Sequence, residues 1–500
     1  MPTQAPPATP VLTDPPPPTW FDRYWPERIS AAPRVVLTAA IAAAVVGAST
    51  ITLDRPGIGW LVASIGIAVA LVLVARHAGT RLRLSWLLVS LALMAVGAFR
   101  AAHWLFVLCV LVAIIAASLA VTDGKSVRGL TFGAFAVLIA AVRALPWIAA
   151  GLRESRRNRD GSAPRIGRSV AVSVLLVVVF GSLLASGDDA FAGVVGGLSP
   201  EINLGSVATW CYLFGAVLVG GFGACYLLFN PATPEDQVFS TRTVRLTEWA
   251  MPVGALVVLF GGFVGVRLTV LFGGRDHVLA TEGLTAAGYA RSGFWQLAAV
   301  TGLTLVVIAI AVRLAPSETG NERLWLRGLL GSLAILTLVI TVSALTRIWY
   351  YQQNYGFTVL RLLVGVCELW LILVYLMVIV AGVRLRGGWL PRAIVGSAMA
   401  FLLGLAVLDP ERLIADRNVD RYAETGRIDS GYLSSLSPDA VPALAALPEP
   451  MRSCVLSHHH VTFTEYLDDT TLGWNLSRDT ARDLLRQIDR SAPCQHLSGR

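Results

Sequence analysis

The sequence predicts an all-α polytopic integral membrane protein, and three observations support that prediction. Hydrophobic residues make up 55% of the 500-residue chain and charged residues only 14%, whereas about a quarter of a soluble protein is charged. Apolar windows of about 20 residues recur along the chain, which is the length a helix needs to cross a bilayer. Polar and apolar residues do not alternate as they do in membrane β-strands. The lipid bilayer is therefore the first predicted partner.

Charge then predicts the orientation. The formal charge of +8 comes almost wholly from arginine, because Lys125 is the only lysine. Arginine-rich short loops stay on the cytoplasmic side, so this surplus indicates topology and not a nucleic-acid partner. The loop at 186–206 has acids and no bases, and it is predicted outside. The basic loops predicted inside are 75–83, 153–168, 312–327 and 384–392.

Twelve apolar runs predict the membrane segments: 35–53, 57–75, 84–99, 101–121, 130–149, 169–186, 207–229, 249–272, 294–312, 328–349, 358–382 and 390–408. If all twelve crossed, at least one basic loop would lie outside, whichever side holds the N-terminus. The run at 130–149 carries Arg143 and Pro146 deep in its length, so we predict that it is a re-entrant or interfacial segment. The expectation is about 11 crossings plus this segment, in the inner (plasma) membrane, with the N-terminus cytoplasmic and the C-terminus outside.

Composition divides the chain into four parts. Residues 1–33 predict a disordered, proline-rich cytoplasmic tail that ends in an interfacial segment. Residues 34–168 form an N-terminal membrane region, and residues 169–408 form a membrane core. Residues 409–500 are polar and predict a small, mostly helical outer domain.

The outer domain contains two cysteines and a run of histidines. Cys454 and Cys494 are predicted to form a disulfide, because the outer compartment is oxidising. In "SHHHVTFTEYL" (457–467), His458 and His460 would share one face of an extended segment, as metal ligands can. Short histidine runs are more often exposed polar residues. We therefore predict no metal and no cofactor, and keep the two histidines as weak candidates.

The main candidate site is the turn "LTRIWYYQQNYGFTVLRL" (345–362), which is crowded with residues that hydrogen-bond, stack and carry charge. The predicted topology places it outside, together with the segments at 183–192 and 285–297. Arginine at membrane depth needs a partner, either a protein acid or an anionic ligand. The candidate ligand- or partner-binding residues are Arg291, Arg347, Tyr351, Tyr355, Arg361, Glu368 and Asp188.

Two interpretations of this cluster stay open. In the first, the aromatic residues form an interfacial belt and the arginines pair with protein acids. In the second, the cluster is a cationic, aromatic-walled cleft for an anionic group such as a lipid phosphate. Glu368 is seven residues from Arg361 and on the same helical face. An ion pair between them is the default expectation, and a coupling-ion or proton site is the sharper one.

Three segments also carry a family resemblance. "RIWYYQQNYGFTVLRL" fits the pattern Arg-x-x-x-Tyr-x-x-x-Tyr-Gly-Leu-Thr-x-x-Arg, with Phe357 in the leucine place. "YARSGFWQL" and "ASGDDAF" fit two further patterns, the latter with Gly187 in place of alanine. Together they resemble a bacterial family of polytopic membrane proteins known as a domain of unknown function (4153/4173 type). The resemblance covers about 170–490 and implies a family without an activity; the first 168 residues match only in being apolar.

The sequence favours a non-enzymatic protein, since it has no nucleophile elbow, Walker loop or HExxH motif. Our first hypothesis is a cell-envelope protein that senses, scaffolds or binds an envelope ligand or a membrane-protein partner, with outer turns that dock the C-terminal domain. One alternative is a transporter or flippase that uses Arg347, Arg361 and Glu368 for an anionic lipid-like substrate. Another is an envelope lipid or sugar transferase that uses Asp188 or Asp189.

Overall fold

The computed structural model describes residues 31–122, 124, 126–157, 204–231, 244–272, 294–316, 319–463 and 470–488, with single positions at 173, 176 and 180. The bundle helices in these ranges are α1 Arg34–Thr50, α2 Ile58–Ala78, α3 Leu84–Phe99, α4 His103–Val121, α5 Val127–Arg157, α6 Leu204–Phe229, α7 Leu246–Phe272, α8 Phe294–Leu314, α9 Gly320–Tyr355, α10 Val359–Arg384 and α11 Leu390–Val407. Every regular element in the described ranges is helical. The predicted all-α class is confirmed.

Nine of the described helices, α2 and α4–α11, are long and apolar enough to cross a membrane. Two shorter apolar helices complete the bundle, α1 with 17 residues and α3 with 16. At a rise of 1.5 Å per residue these two span about 25 Å, near the lower limit for a crossing. The apolar run at 169–186 lies almost wholly outside the described residues.

Small residues bring the first helices close to α6. The buried face of α1 consists of Val36, Ala40, Ala43, Ala44, Gly47 and Ala48. A Cβ on Gly47 would lie 3.0 Å from a methyl group of Val217 in α6, so the missing side chain sets how closely the two helices approach. Such small-residue faces are typical of helix packing in membranes, where close contact replaces the hydrophobic effect.

Helices α7–α10 pack around a separate core. Its larger side chains include Trp249, Phe260, Leu333 and Tyr375. The long helix α9 begins with a capping box, in which Thr319 and Glu322 satisfy each other's backbone N–H groups. This start lies at the end of the bundle opposite the turn between α9 and α10.

Helix α5, which contains the run at 130–149, lies across one end of the bundle. Gly133 accepts a hydrogen bond from Ser118 in the last turn of α4, at 2.6 Å, and Trp147 accepts one from the backbone N–H of Ala32, just before α1. Between these contacts its residues pack on the last turns of α2 and α6. All four of these helix termini lie at the same end of the bundle, since the rings of His77 in α2 and Phe229 in α6 are 6.4 Å apart.

By length and composition α5 is one of the helices that could cross a membrane. Its described contacts with α4, with the end of α6 and with the residues before α1 lie at one end of the bundle. It is a single unbroken helix despite Pro146, so the chain does not turn back within it.

The C-terminal segment forms a compact unit, here called the cap (residues 409–463 and 470–488). Its elements are α12 Pro410–Thr425, α13 Ser430–Ser434, a 3₁₀ helix Pro438–Ala440, α14 Val441–Leu444, α15 Met451–Phe463, a 3₁₀ helix Thr471–Gly473 and α16 Leu476–Gln487. Its core includes Ile414, Leu433, Leu444 and Val455, and it also takes in Phe357 from the turn between α9 and α10. The cap and that turn therefore share one hydrophobic core.

Candidate functional site

The turn between α9 and α10 is shaped by Gly356. Its φ angle is +82°, a conformation that residues with a side chain rarely adopt. A Cβ at this position would lie 2.7 Å from Oδ1 of Asn418 in the cap. Glycine thus allows the backbone turn and the close approach of the cap at the same point.

The side-chain amide of Asn418 pairs with the backbone of the turn, as the backbone of a neighbouring β-strand would. Its Oδ1 accepts from the N–H of Phe357 at 3.1 Å, and its Nδ2 donates to the carbonyl of Phe357 at 2.9 Å. The same Nδ2 also donates to the carbonyl of Ile414. The amide is 8% exposed, so these bonds replace contacts with water that burial removes. Asn418 locks Phe357 into the cap core.

Two more cap residues hold the ends of the same turn. Arg421 donates to the carbonyl of Asn354, at the end of α9, over 3.1 Å. The hydroxyl of Tyr432 accepts from the N–H of Val359, the first residue of α10, at 2.8 Å. The cap therefore contacts the turn before, within and after Gly356.

The predicted residue Arg361 is part of this structure. Its guanidinium donates to the carbonyls of Tyr355 and Gly356, at 3.0 and 2.6 Å, and it lies 4.6 Å from the ring centroid of Tyr351. The rings of Tyr351 and Tyr355 are 4.7 Å apart. These contacts bring three of the predicted site residues together, and they use Arg361 to brace the turn.

The expected ion pair between Arg361 and Glu368 is not formed. Within the described ranges the side chain of Arg361 pairs with backbone carbonyls and the ring of Tyr351. Glu368 lies seven residues further along α10, about 10 Å along the helix axis. The correction is geometric: two residues that share a helix face are not in contact when two turns separate them.

A small pocket lies where the turn meets the cap. Its volume is about 100 Å³. It is lined by Tyr355, Gly356, Phe357, Thr358, Arg361, Asn418, Arg421, Asp429, Tyr432 and Leu433. Two guanidinium groups and one carboxylate border it, and binding of an anionic group there stays a prediction.

The cap also covers the turn between α3 and α4. Asp439 is 1% exposed, and its carboxylate accepts from the N–H groups of Ala101 and Ala102, at 2.9 Å each. These N–H groups precede α4 and would otherwise be unpaired, so Asp439 satisfies the start of that helix. Glu411, 4% exposed, accepts from the indole of Trp104 at 2.8 Å and from the N–H of Ser437.

Arg100 ties the same turn to the end of α11. It donates to Asp409 at 2.7 Å and to the carbonyls of Ala406 and Val407. Burial, together with the nearby charge of Asp439, raises the pKa of Asp409 to about 6, and the positive charge of Arg100 opposes that rise. Asp409 is therefore the one group at this junction with a resolved shift that brings its pKa close to neutral pH.

A third contact joins the cap to the turn between α1 and α2. Arg478, 6% exposed, donates to the carbonyls of Pro56 and Gly473. The N–H of Ile58 donates to the carbonyl of Trp474 at 3.0 Å. Asn475, 1% exposed, reaches from the same place to the carbonyls at the end of α3. The cap thus binds three turns and the end of α11, all at one end of the bundle.

Sequence reasoning missed the cap side of these contacts. Asn418 lies in α12 on a stripe of buried positions with Glu411, Ile414 and Ala415. A polar residue at helical spacing within an apolar stripe is the signal that could have marked it, because a buried amide needs dedicated partners. Asp439 had a similar signal in "SPDA", a helix start with an acid in its first turn.

Glu368 is buried elsewhere, on the face of α10 that also carries Tyr375 and packs against α8 and α9 (here called the α8–α10 core). It is 2% exposed, and among the described residues its Oε2 has no hydrogen-bond partner. On the same face of α10, Tyr375 is fully buried but donates to the carbonyl of Thr301 in α8 at 2.7 Å. Within the described residues, Glu368 shares this lack of a partner with the indole nitrogen of Trp249 in α7.

The remaining predicted residues are placed as follows. Arg347 is half-buried near the end of α9. Asp188, Arg291 and Cys494 lie outside the described residues, so the predicted bridge from Cys454, which lies in α15, stays a prediction.

The extended form assumed for the histidine run is wrong. His458 and His460 lie in the helix α15 and not in an extended segment. No group of three or more potential metal ligands occurs in the part of the chain that the structure describes.

The chain matches the family described as Domain of unknown function (DUF4153) over residues 88–447. No curated protein and no solved structure shows significant similarity to it. The match begins within α3, so the family likeness reaches further towards the N-terminus than the predicted 170–490. It ends just after α14, which leaves α1, α2, α15 and α16 outside it.

Proposed function

We propose a role that is based on the architecture of the protein, which belongs to the family described as Domain of unknown function (DUF4153). The protein is a non-enzymatic membrane protein of the cell envelope, and its cap is a fixed outer platform that binds an envelope ligand or a membrane-protein partner. The observation that supports it most is the cap's attachment to three turns through buried, hydrogen-bonded side chains.

The attachment favours a rigid platform over a mobile lid. Buried polar networks whose members are all satisfied specify a single arrangement. Asn418, Asp439 and Asn475 are each at most 8% exposed and each bonds backbone groups of the bundle. Moving the cap away would expose these groups and also remove Phe357 from its core. A surface held this firmly is suited to recognition by a partner.

The proposed topology has eleven crossings, with the N-terminus inside. Helices α1–α4 and α6–α11 supply ten crossings, and the run at 169–186 supplies the eleventh. Helix α5 lies at the inner interface beside the basic loops at 75–83 and 384–392. The cap then lies outside the inner membrane, where a disulfide between Cys454 and Cys494 is expected to form.

Cysteine labelling tests this topology. Gln353 and Glu154 are both exposed, and each is replaced by cysteine after serine has replaced the exposed Cys211 and Cys367. In intact spheroplasts a membrane-impermeant maleimide should label the cysteine at 353 and leave the one at 154 unlabelled until the cells are opened. The reverse pattern would invert the topology and place the cap in the cytoplasm.

Photo-crosslinking tests the platform role. A photo-reactive residue is placed at Arg417 or Glu424, both exposed on α12, and a matched control is placed at Val142 of α5, which is 70% exposed on an apolar face. The cap positions should give discrete adducts that the control position does not give. Absence of any adduct from exposed cap positions would contradict the platform role.

The transporter alternative is favoured by one observation, the buried carboxyl of Glu368, because ionisable residues inside membranes commonly mark ion pathways. It is weakened by Arg361, whose guanidinium braces the turn. Flux of a fluorescent anionic lipid across proteoliposomes, present with the native protein and lost with Glu368→Gln, would favour it. The transferase alternative depends on Asp188 and Asp189, which lie outside the described residues.

A further inference from the structure

Glu368 has no structural role that its contacts reveal. Its carboxyl lies nine residues into α10 from Val359, ~14 Å along the helix axis. It is 2% exposed and Oε2 is unpartnered in the described structure. A buried polar group without a partner costs stability, so retaining one here calls for an explanation other than packing.

No ion pair in the described structure joins Glu368 to a basic residue. No Asp, Glu, Lys, Arg or His occurs at 249–266 in α7, 295–312 in α8, 328–346 in α9 or 393–406 in α11. Arg347, the next residue of α9, lies about as far from the turn at Gly356 as Glu368 does, but the described ion pairs do not join the two. Along α10 itself, Glu368 is the single charged residue between Arg361 and Arg384.

The polar neighbours are neutral and already bonded. The titratable groups nearest in sequence on α10 are Cys367, which is exposed on the lipid side, and Tyr375, whose hydroxyl bonds Thr301. Thr301 and Thr341 lie within 3.4 Å of each other and both donate to carbonyls of their own helices. Among the described residues Oε2 of Glu368 has no donor, and an ionised carboxylate is very costly to bury unpaired.

We propose that Glu368 is an intramembrane proton-binding site: the α8–α10 core holds it as an uncharged carboxylic acid, out of contact with bulk water. This goes beyond the platform role, because it assigns the membrane core a ligand, the proton, that the cap does not need. Its chemical signature is reactivity with a carbodiimide that partitions into lipid.

The reaction is specific for a protonated carboxyl in an apolar site. The acid proton moves to a carbodiimide nitrogen while the carboxylate oxygen bonds the central carbon, and the O-acylisourea then rearranges to a stable N-acylurea. The atoms of both reactants are retained, and no further reagent is needed. Water and amines, which would otherwise intercept the intermediate, are scarce at this depth.

The experiment uses the full-length protein in phosphatidylcholine vesicles with dicyclohexylcarbodiimide, followed by peptide mapping. We expect the adduct on the peptide that contains Glu368, and we expect Glu368→Asp to retain it and Glu368→Gln to lose it. Glu411 is the internal control. It is about as buried as Glu368, but Trp104 and Ser437 donate hydrogen bonds to it. We therefore expect it to stay unmodified.

Two results would overturn the proposal. One is an unmodified Glu368 in native protein whose other carboxyls react. The other is modification of Glu368 by a water-soluble, membrane-impermeant carbodiimide, which would show that it faces bulk water. Because the native protein itself is mapped, a variant that fails to fold does not affect the outcome. Neither result bears on the crosslinking of the cap, so this proposal and the platform role can fail separately.

Discussion

The junction between cap and bundle and the core of α8–α10 both bury acidic side chains, and Asp439 and Glu411 at the junction differ in their surroundings from Glu368 in the core. At the junction Asp439 and Glu411, 1% and 4% exposed, each accept hydrogen bonds from groups that need them. In the core Glu368, 2% exposed, keeps an oxygen without any partner in the described structure. Equal burial therefore does not mean an equal role. Asp439 and Glu411 stabilise the fold, whereas the unpaired carboxyl of Glu368 lowers its stability.

The largest expected effect is at Asp439. Replacing it by alanine leaves the N–H groups of Ala101 and Ala102 buried without an acceptor, and each such group costs about 1–3 kcal/mol. We expect Asp439→Ala to lower the free energy of unfolding in mixed micelles by about 4 kcal/mol. The control is Asp483→Ala, which removes an exposed acid of α16 and should change stability by less than about 0.5 kcal/mol. Equal effects of the two would remove the contrast.

Asn418→Ala should have the next largest effect. It removes both hydrogen bonds to Phe357 and the one to Ile414, and we expect a loss of about 3 kcal/mol in the free energy of unfolding. Limited proteolysis should also cut the cap faster at the turn. Asn354→Ala is the matched control, because its exposed amide bonds only its own helix. A native-like digestion pattern for Asn418→Ala would show that the turn is held by other contacts.

Leucine at Glu368 should have a smaller effect of opposite sign. Replacing an unpaired buried carboxyl by an apolar side chain of similar size removes a desolvation cost, so stability should rise by about 1 kcal/mol. Glu411→Leu is the matched variant and should instead lose stability, because Trp104 and Ser437 lose their acceptor. If both variants lost stability alike, Glu368 would have a structural partner and the comparison would fail.

The smallest effect concerns the pH dependence of the junction. The pKa of Asp409 is about 6 in the folded protein, against an ordinary value of 3.8, owing to burial first and the charge of Asp439 second. A raised carboxyl pKa means that the folded state holds a proton the unfolded state has lost, so stability rises as pH falls through 6 towards 4. Asp409→Asn should flatten this part of the profile relative to wild type. The same slope in both proteins would assign it to another group.

The helices of the membrane part were readable from sequence, because a bilayer sets the length of the apolar runs that predict them. The orientation that arginine in short loops predicts stays a prediction, and so does the non-crossing form that Arg143 and Pro146 suggest for α5. Its placement across the ends of α4, α6 and α1 depends on packing, which no local pattern encodes.

The candidate site was only half predictable. The turn at 345–362 stood out, yet its partners Asn418 and Tyr432 are more than 60 residues away, in a segment whose docking also depends on two other turns and the end of α11. Helical spacing suggested an ion pair between Arg361 and Glu368. That prediction failed because a spacing of seven residues indicates a shared helix face and does not give the distance between the side chains. The histidine run failed since nothing local distinguished helix from strand.

The contact of Arg478 with Pro56 spans 422 positions in the chain. The turn between α1 and α2 leaves the ribosome long before α16 does. Until α16 has been made, the hydrogen bond from Arg478 to Pro56 cannot form, so assembly of the protein cannot finish segment by segment. A chain cut short before α16 would leave the turn between α1 and α2 without this contact.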